Sequence, residues 1–184
     1  MKNRNRWIVG LLVMGIALFA VVQFFVIPHR QAEQRQYLTA QQEPTTHDLN
    51  TILKYKNKYV GNASNDANLF YHLPLNNTGM NFQLFSEKLA LEVSYKDTVW
   101  NIGEEKVKRS LLYNSTAAFA LIDNLKEIDY NFSGTSYRVK RNDIEGLYSN
   151  FADILQSNRW KTSVQMMMDD TQYVDETFRK VFQP

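Results

Sequence analysis

From Trp7 to Ile27 the chain reads WIVGLLVMGIALFAVVQFFVI, an apolar run with no charged residue and Gln23 as its one strongly polar position. As a helix this run is about 31 Å long at roughly 1.5 Å per residue, the thickness of a bilayer's hydrocarbon core. It has no polar face, which argues against the core helix of a soluble protein. It is also longer than the apolar part of a cleaved signal peptide, and Val26-Ile27-Pro28-His29 offers no small-x-small cleavage site. Lys2, Arg4 and Arg6 precede the run. The positive-inside bias then predicts a cytoplasmic tail at 1–6, a transmembrane signal anchor at 7–27 and a single-pass protein of the cell membrane with everything after the anchor outside. A six-residue tail is too short for an output domain, so any signal is expected to pass through another membrane protein.

The next stretch, 28–46, is polar and Gln-rich (RQAEQRQ, then QQEPTT) and is expected to be a stalk that continues the helix or runs free to a break near Pro44. Beyond it the pattern changes repeatedly. Asp48 is a helix cap before Leu49, Ile52, Leu53 and Tyr55, and Asn65 or Asp66 a cap before Leu69 and Phe70. From Phe82 the period becomes two: Phe82 and Leu84, then Leu89, Leu91, Val93 and Tyr95, predict a half-buried hairpin. Val107, Leu111, Leu112, Ala118, Phe119, Ile122 and Leu125 restore a helical stripe, with Asn114-Ser115-Thr116 as a candidate interruption. Ile128, Tyr130 and Phe132 alternate again, turn at Ser133-Gly134, and return through Tyr137 and Val139. Asn142 with Glu145 resembles a capping box before Ile144, Leu147, Tyr148, Phe151, Ile154 and Leu155. A last helix is expected over Thr171–Phe182 behind Asp169-Asp170. The expectation is an α+β domain at 47–184: a four-stranded antiparallel sheet, made from a hairpin-helix unit used twice, packed by helices.

Charge and composition narrow the chemistry. Lys+Arg total 21 and Asp+Glu 19, a net charge of +2, which does not suit a nucleic-acid binder. With no cysteine there is no disulfide, thiolate metal site, cysteine nucleophile or lipid-modified cysteine. The three histidines, His29, His47 and His72, form no zinc motif, and His72 is read as a packing or capping residue. No phosphate-binding glycine loop or nucleophile elbow occurs. Glu104-Glu105 and Asp169-Asp170 fit helix starts better than calcium ligands. Met166-Met167-Met168 suits a core or edge segment, and Trp100 and Trp160 core or lid positions. Asp123-Asn124 is read as a structural turn, with Asn124 as a left-handed cap. No catalytic, cofactor-binding or metal-ligating residue is assigned, and no cofactor is expected.

Two stretches resemble a known family. Lys54-Tyr55-Lys56-Asn57-Lys58-Tyr59-Val60-Gly61-Asn62, followed by Leu73-Pro74-Leu75, is similar to the opening of a domain of unknown function from low-GC Gram-positive bacteria. Asn114-Ser115-Thr116-Ala117-Ala118-Phe119-Ala120-Leu121-Ile122-Asp123-Asn124 is similar to that family's second hallmark, a helix leading into a strand. The resemblance spans about Asp48 to Gln156. It implies an extracytoplasmic, membrane- or lipid-anchored protein, of a domain type also fused to membrane peptidases of the antibiotic-sensor kind, and it implies no activity. The resulting expectation is a non-catalytic sensory or interaction module with a membrane or envelope protein partner. The rival readings are an accessory subunit of an envelope enzyme and a structural component of wall or secretion assembly.

Overall fold

The computed structural model describes residues 2–183, with side chains described from Trp7 onward except at position 9. The chain forms two compact units, Met1–Ala40 and Gln41–Pro184. The described residues of the first are all helical: α1 (Lys2–Val21), a π-helical turn (Val22–Val26) and α2 (Ile27–Ala40). The π-turn has a local cause. A proline inside a helix lacks an N–H and its ring collides with the carbonyl four residues back. Immediately before Pro28 the backbone widens, the Ile27 N–H bonding the Val22 carbonyl, and the helix then continues to Ala40. The stretch Gly10–Ala40 reaches a mean hydropathy of 2.6 in its most apolar window, and none of that window is buried. One apolar N-terminal helix of this kind is consistent with a single-pass membrane anchor.

The second unit begins earlier than residue 47, the start expected from the sequence. Gln41 accepts from the Asp48 N–H at 3.1 Å, Gln42 donates to Asn76 at 2.8 Å, and Glu43 pairs with Lys106 at 3.1 Å. Gln165 donates to the carbonyls of Pro44 and His47 at 3.1 and 2.8 Å. The glutamines that suggested a solvated spacer therefore serve, at 41–47, as hydrogen-bonding partners for the fold.

Short helices α3 (Asn50–Leu53) and α4 (Ala63–Phe70) come first. The cap of α4 is Asn62, which accepts from the Asn65 N–H, and not Asn65 or Asp66. Strands β1 (Met80–Phe85) and β2 (Ala90–Tyr95) form the first hairpin, followed by a single turn α5 (Val99–Ile102) and the central helix α6 (Glu104–Leu121). Strands β3 (Glu127–Phe132) and β4 (Thr135–Lys140) form the second hairpin. Next come α7 (Arg141–Glu145), α8 (Ser157–Trp160) running into a π-turn and a 3-10 turn through Asp169, α9 (Thr171–Val181) and the two-residue strand β5 (Phe182–Gln183).

The α+β class stands, but the sheet is five-stranded and mixed, in the order β1-β2-β3-β4-β5. Both hairpins are antiparallel, while β2 and β3 pair in parallel, Leu91 opposite Ile128 and Val93 opposite Tyr130. The reason is topological: α6 carries the chain back along the sheet, so the strand that follows runs in the same direction as β2. The fifth strand was missed because two residues show no alternation.

Helix α6 passes through Asn114-Ser115-Thr116 without interruption, and all three are buried. Each has at least one side-chain hydrogen bond, although the Asn114 Oδ1 atom is left without a partner among the described residues. Asn114 donates to the Pro74 carbonyl at 2.8 Å, Ser115 meets the Tyr130 hydroxyl at 3.1 Å, and Thr116 donates to Leu112 O at 2.9 Å. The long helix expected from Asn142 to Leu155 does not form. Gly146 closes α7 after one turn, and Glu145 takes an ion pair from Arg141 at 2.8 Å in place of a capping role. One side of the sheet (Leu91, Val93, Tyr95, Ile128, Tyr130, Phe132, Val139) shares a continuous core with α6, Trp160, Val164, Met168 and α9.

Candidate functional site

Side chains alternate across a strand, so residues in register share a face. Opposite the core, Gln83, Glu92, Asp129, Arg138 and Gln183 lie in register across all five strands. Asn81, Ser94, Asn131 and Ser136 make a second polar row. The middle of this face is a shallow hollow of about 290 Å³ lined by Glu92, Asp129, Asn131, Ser136, Tyr137, Arg138 and Gln183. Arg138 grips Asp129 with two bonds, Nε to Oδ1 at 2.6 Å and Nη2 to Oδ2 at 3.2 Å, and reaches Glu127 at 3.3 Å. The Asp129 carboxylate raises the pKa of the Arg138 guanidinium, Glu127 adding to the effect. Ser94 donates to Glu92 at 3.2 Å and receives from Asn131 at 3.4 Å. The result is a hydrated surface of interlocked donors and acceptors, chemically suited to polar recognition.

Two hollows lie among the helices. One, of about 420 Å³, is bounded by Leu147, Tyr148, Ile154, Arg159, Met167 and Tyr173. The other, of about 430 Å³, has Phe119, Phe151 and Leu155 on its walls with Lys56, Asp123, Arg141 and Glu145 at its rim. Arg141 is already engaged there: it donates to the carbonyls of Leu125 and Ile122, both at 2.5 Å, and its guanidinium lies 5.3 Å from the Phe119 ring centre.

The stretches 54–62 and 114–124 meet each other. Asn57 bridges Ile122 in parallel, its N–H bonding the Leu121 carbonyl at 2.8 Å while its carbonyl takes the Asp123 N–H at 3.1 Å. The Asn124 side chain accepts from the Val60 N–H at 2.5 Å. Asn124 is therefore a docking residue, and its backbone is not left-handed as expected. Asp66, fully buried, accepts from the Asn57 amide at 2.9 Å and from the Gly61 N–H at 3.1 Å. Burial raises its carboxyl above the usual range, with those two donors opposing the shift.

His47, expected next to the stalk, is in the core. Its Nε2 is 2.7 Å from the His72 carbonyl, which can only accept, so Nε2 carries the proton and Nδ1 accepts from the Tyr113 hydroxyl at 2.8 Å. That hydroxyl in turn receives the Trp160 Nε1–H at 3.1 Å. Burial lowers the His47 pKa, so the ring is held neutral. His72 meets the Tyr55 hydroxyl and the Asn68 carbonyl, in line with a packing role. His29 sits on the first unit beside Glu33 at 3.2 Å.

Glu104 pairs with Lys108 at 2.6 Å, Glu105 with Arg109, and Thr171 donates to Glu105 at 3.0 Å. Asp170 caps α9, accepting from the Tyr173 N–H at 3.0 Å. Both acidic pairs thus lie at helix starts. Met168 and Trp160 are in the core, whereas Trp100 is 90% exposed, unlike the expectation for it. Among the described residues no three His, Asp or Glu side chains are placed to hold a metal ion. The open sheet face was not singled out in the sequence. The signal for it was the polar phase of each strand, which becomes a surface only when the register is known.

Residues 52–142 match a domain of unknown function, DUF4825. The match covers the Asn57 and Asn124 docking residues, α6 and the first four strands, and stops before α8, α9 and β5. No curated protein and no solved structure matches the chain.

Proposed function

We propose that the protein is a membrane-anchored, non-catalytic module whose domain lies outside the cytoplasm and acts by binding a membrane or envelope protein. The observation that supports this most directly is the unburied apolar helix in one chain with a compact unit that leaves the whole polar face of its sheet uncovered. Anchoring confines that face to a membrane surface, which raises its effective concentration toward other membrane proteins without any new contact. Lys2, Arg4 and Arg6 before the apolar run favour the outward orientation of the domain.

Orientation is tested by adding protease to intact protoplasts. Digestion of the domain is expected, and protection until lysis overturns the topology. The binding role is tested by crosslinking in living cells, comparing the full chain with a form that keeps the anchor and lacks residues 41–184. Recovery of one membrane protein only with the full chain supports the module. Turnover of a wall or lipid substrate by the purified chain, without any protein captured, replaces it with an envelope enzyme.

A further inference from the structure

The two edges of the sheet differ. β5 is two residues long, and a short edge offers little to pair with. β1 is six residues, MNFQLF, with no charge and no proline. Charge and proline, two of the devices by which edge strands are kept from pairing, are both absent from it.

The direction of its backbone groups follows from the ladder. Lys96 donates to the Gly79 carbonyl at 3.0 Å, and Lys126 to the Leu89 carbonyl at 2.8 Å. Alternation along an antiparallel pair then turns the N–H and C=O groups of Asn81, Gln83 and Phe85 toward β2 and those of Met80, Phe82 and Leu84 outward. Among the described residues no hydrogen-bond partner occupies that outward row.

We propose that β1 is the docking strand for a second copy of this chain, the two strands pairing antiparallel about a two-fold axis at Phe82. In that register Phe82 exchanges both backbone bonds with the partner's Phe82, and Met80 with the partner's Leu84, about six hydrogen bonds in all. The symmetry of the outward row about Phe82 makes this register the one that satisfies every outward group. The faces agree as well. Met80, Phe82 and Leu84 all belong to or pack against the core side, so the apolar side of one copy continues into the apolar side of the other. On the wet side Asn81 stands opposite the partner's Gln83, two neutral amides that each donate and accept. No like charges meet. A contact of this kind is isologous and closes on itself as a dimer. One strand pair buries less than a standard free-solution interface. Copies held in one membrane meet at raised effective concentration, the condition in which a small self-complementary edge suffices. The polar rows of the two copies then form one continuous surface.

The absence of cysteine makes a register-specific test simple. Asn81 and Gln83 are both exposed, so Asn81→Cys and Gln83→Cys leave the core intact. Across the proposed axis they form a non-hydrogen-bonded pair with Cα atoms about 4.5 Å apart, inside the disulfide range. Full-length chains carrying N81C and Q83C are co-expressed in membranes and mildly oxidised. A mixed disulfide dimer at least fivefold more abundant than either homodimer is expected. Gln83→Cys alone giving the main dimer would place the axis at residue 83 and overturn the register. Yields no higher than for exposed Gln172→Cys, or N81C linking chiefly to a different protein, overturn the dimer. As a second readout, Asn81→Lys with Gln83→Lys sets positive charges across the axis. Energy transfer between labelled full-length copies in vesicles is expected to fall by at least fivefold, and unchanged transfer refutes the pairing.

Discussion

Removing one oxygen atom from Tyr113 tests how the N-terminal segment, α6 and α8 are held together. In Tyr113→Phe the ring survives, and with it the edge-on contacts to His47 and Trp160 at 5.3 and 5.1 Å between centres. What disappears is the hydroxyl that donates to His47 Nδ1 and accepts from Trp160 Nε1. His47 is 2% and Trp160 1% exposed, so water cannot replace it without rearrangement. Each buried group left without a partner costs about 1–3 kcal/mol, and partial relaxation leaves a total of roughly 2–4 kcal/mol. At about 3 °C per kcal/mol for a domain of this size, the Tm falls by roughly 6–12 °C. The assay is thermal unfolding of the detergent-solubilised chain followed by near-ultraviolet circular dichroism. Tyr148→Phe is the matched control. Its hydroxyl meets Thr116 Oγ1 at 3.1 Å, but Thr116 keeps its own bond to Leu112 O. That change should cost under about 1 kcal/mol. Equal losses in the two variants would refute the relay.

Because burial depresses the His47 pKa below its ordinary 6.5, the unfolded chain takes up a proton there before the folded one does. The His47 contribution to stability is therefore complete above about pH 6.5 and declines as pH falls toward the folded-state pKa; a chemical-denaturation series from pH 8 to 5 should show this decline, flattened in His47→Gln. Asn124→Ala leaves the Val60 N–H without its acceptor and should cost about 1–3 kcal/mol, with faster amide exchange concentrated around Val60. A uniform change in exchange across the domain would contradict that local role.

Class and most elements were legible because they rest on local periodicity. The strand alternation at Leu91-Val93-Tyr95 and Ile128-Tyr130-Phe132 and the stripe of α6 all reappear, and the last helix lies where Asp170 caps it. Most of the failures share a cause: they depended on partners that the local pattern does not name. Asn114-Ser115-Thr116 looked like a break because buried polar residues in a helix need partners, and Pro74 and Tyr130, together with Leu112 in the helix itself, were not visible as such. Gln41 and Gln42 looked like stalk until Asp48 and Asn76 supplied their partners. The stripe from Ile144 to Leu155 was real as burial and false as helix, since Gly146 ends the turn. The polar sheet face was hidden for the same reason, being a property of register between strands.

The shared segment ends at residue 142, but the fold does not. Lys108 on α6 is tied to Asp175 on α9 at 2.9 Å, and Trp160, Val164, Met168, Phe178 and Phe182 complete the core that α6 begins. A chimera cut at residue 142 would carry the whole matched segment and still expose one flank of its central helix. The matched segment is thus smaller than the unit of folding. Any transplant of this domain must carry the chain through Phe182.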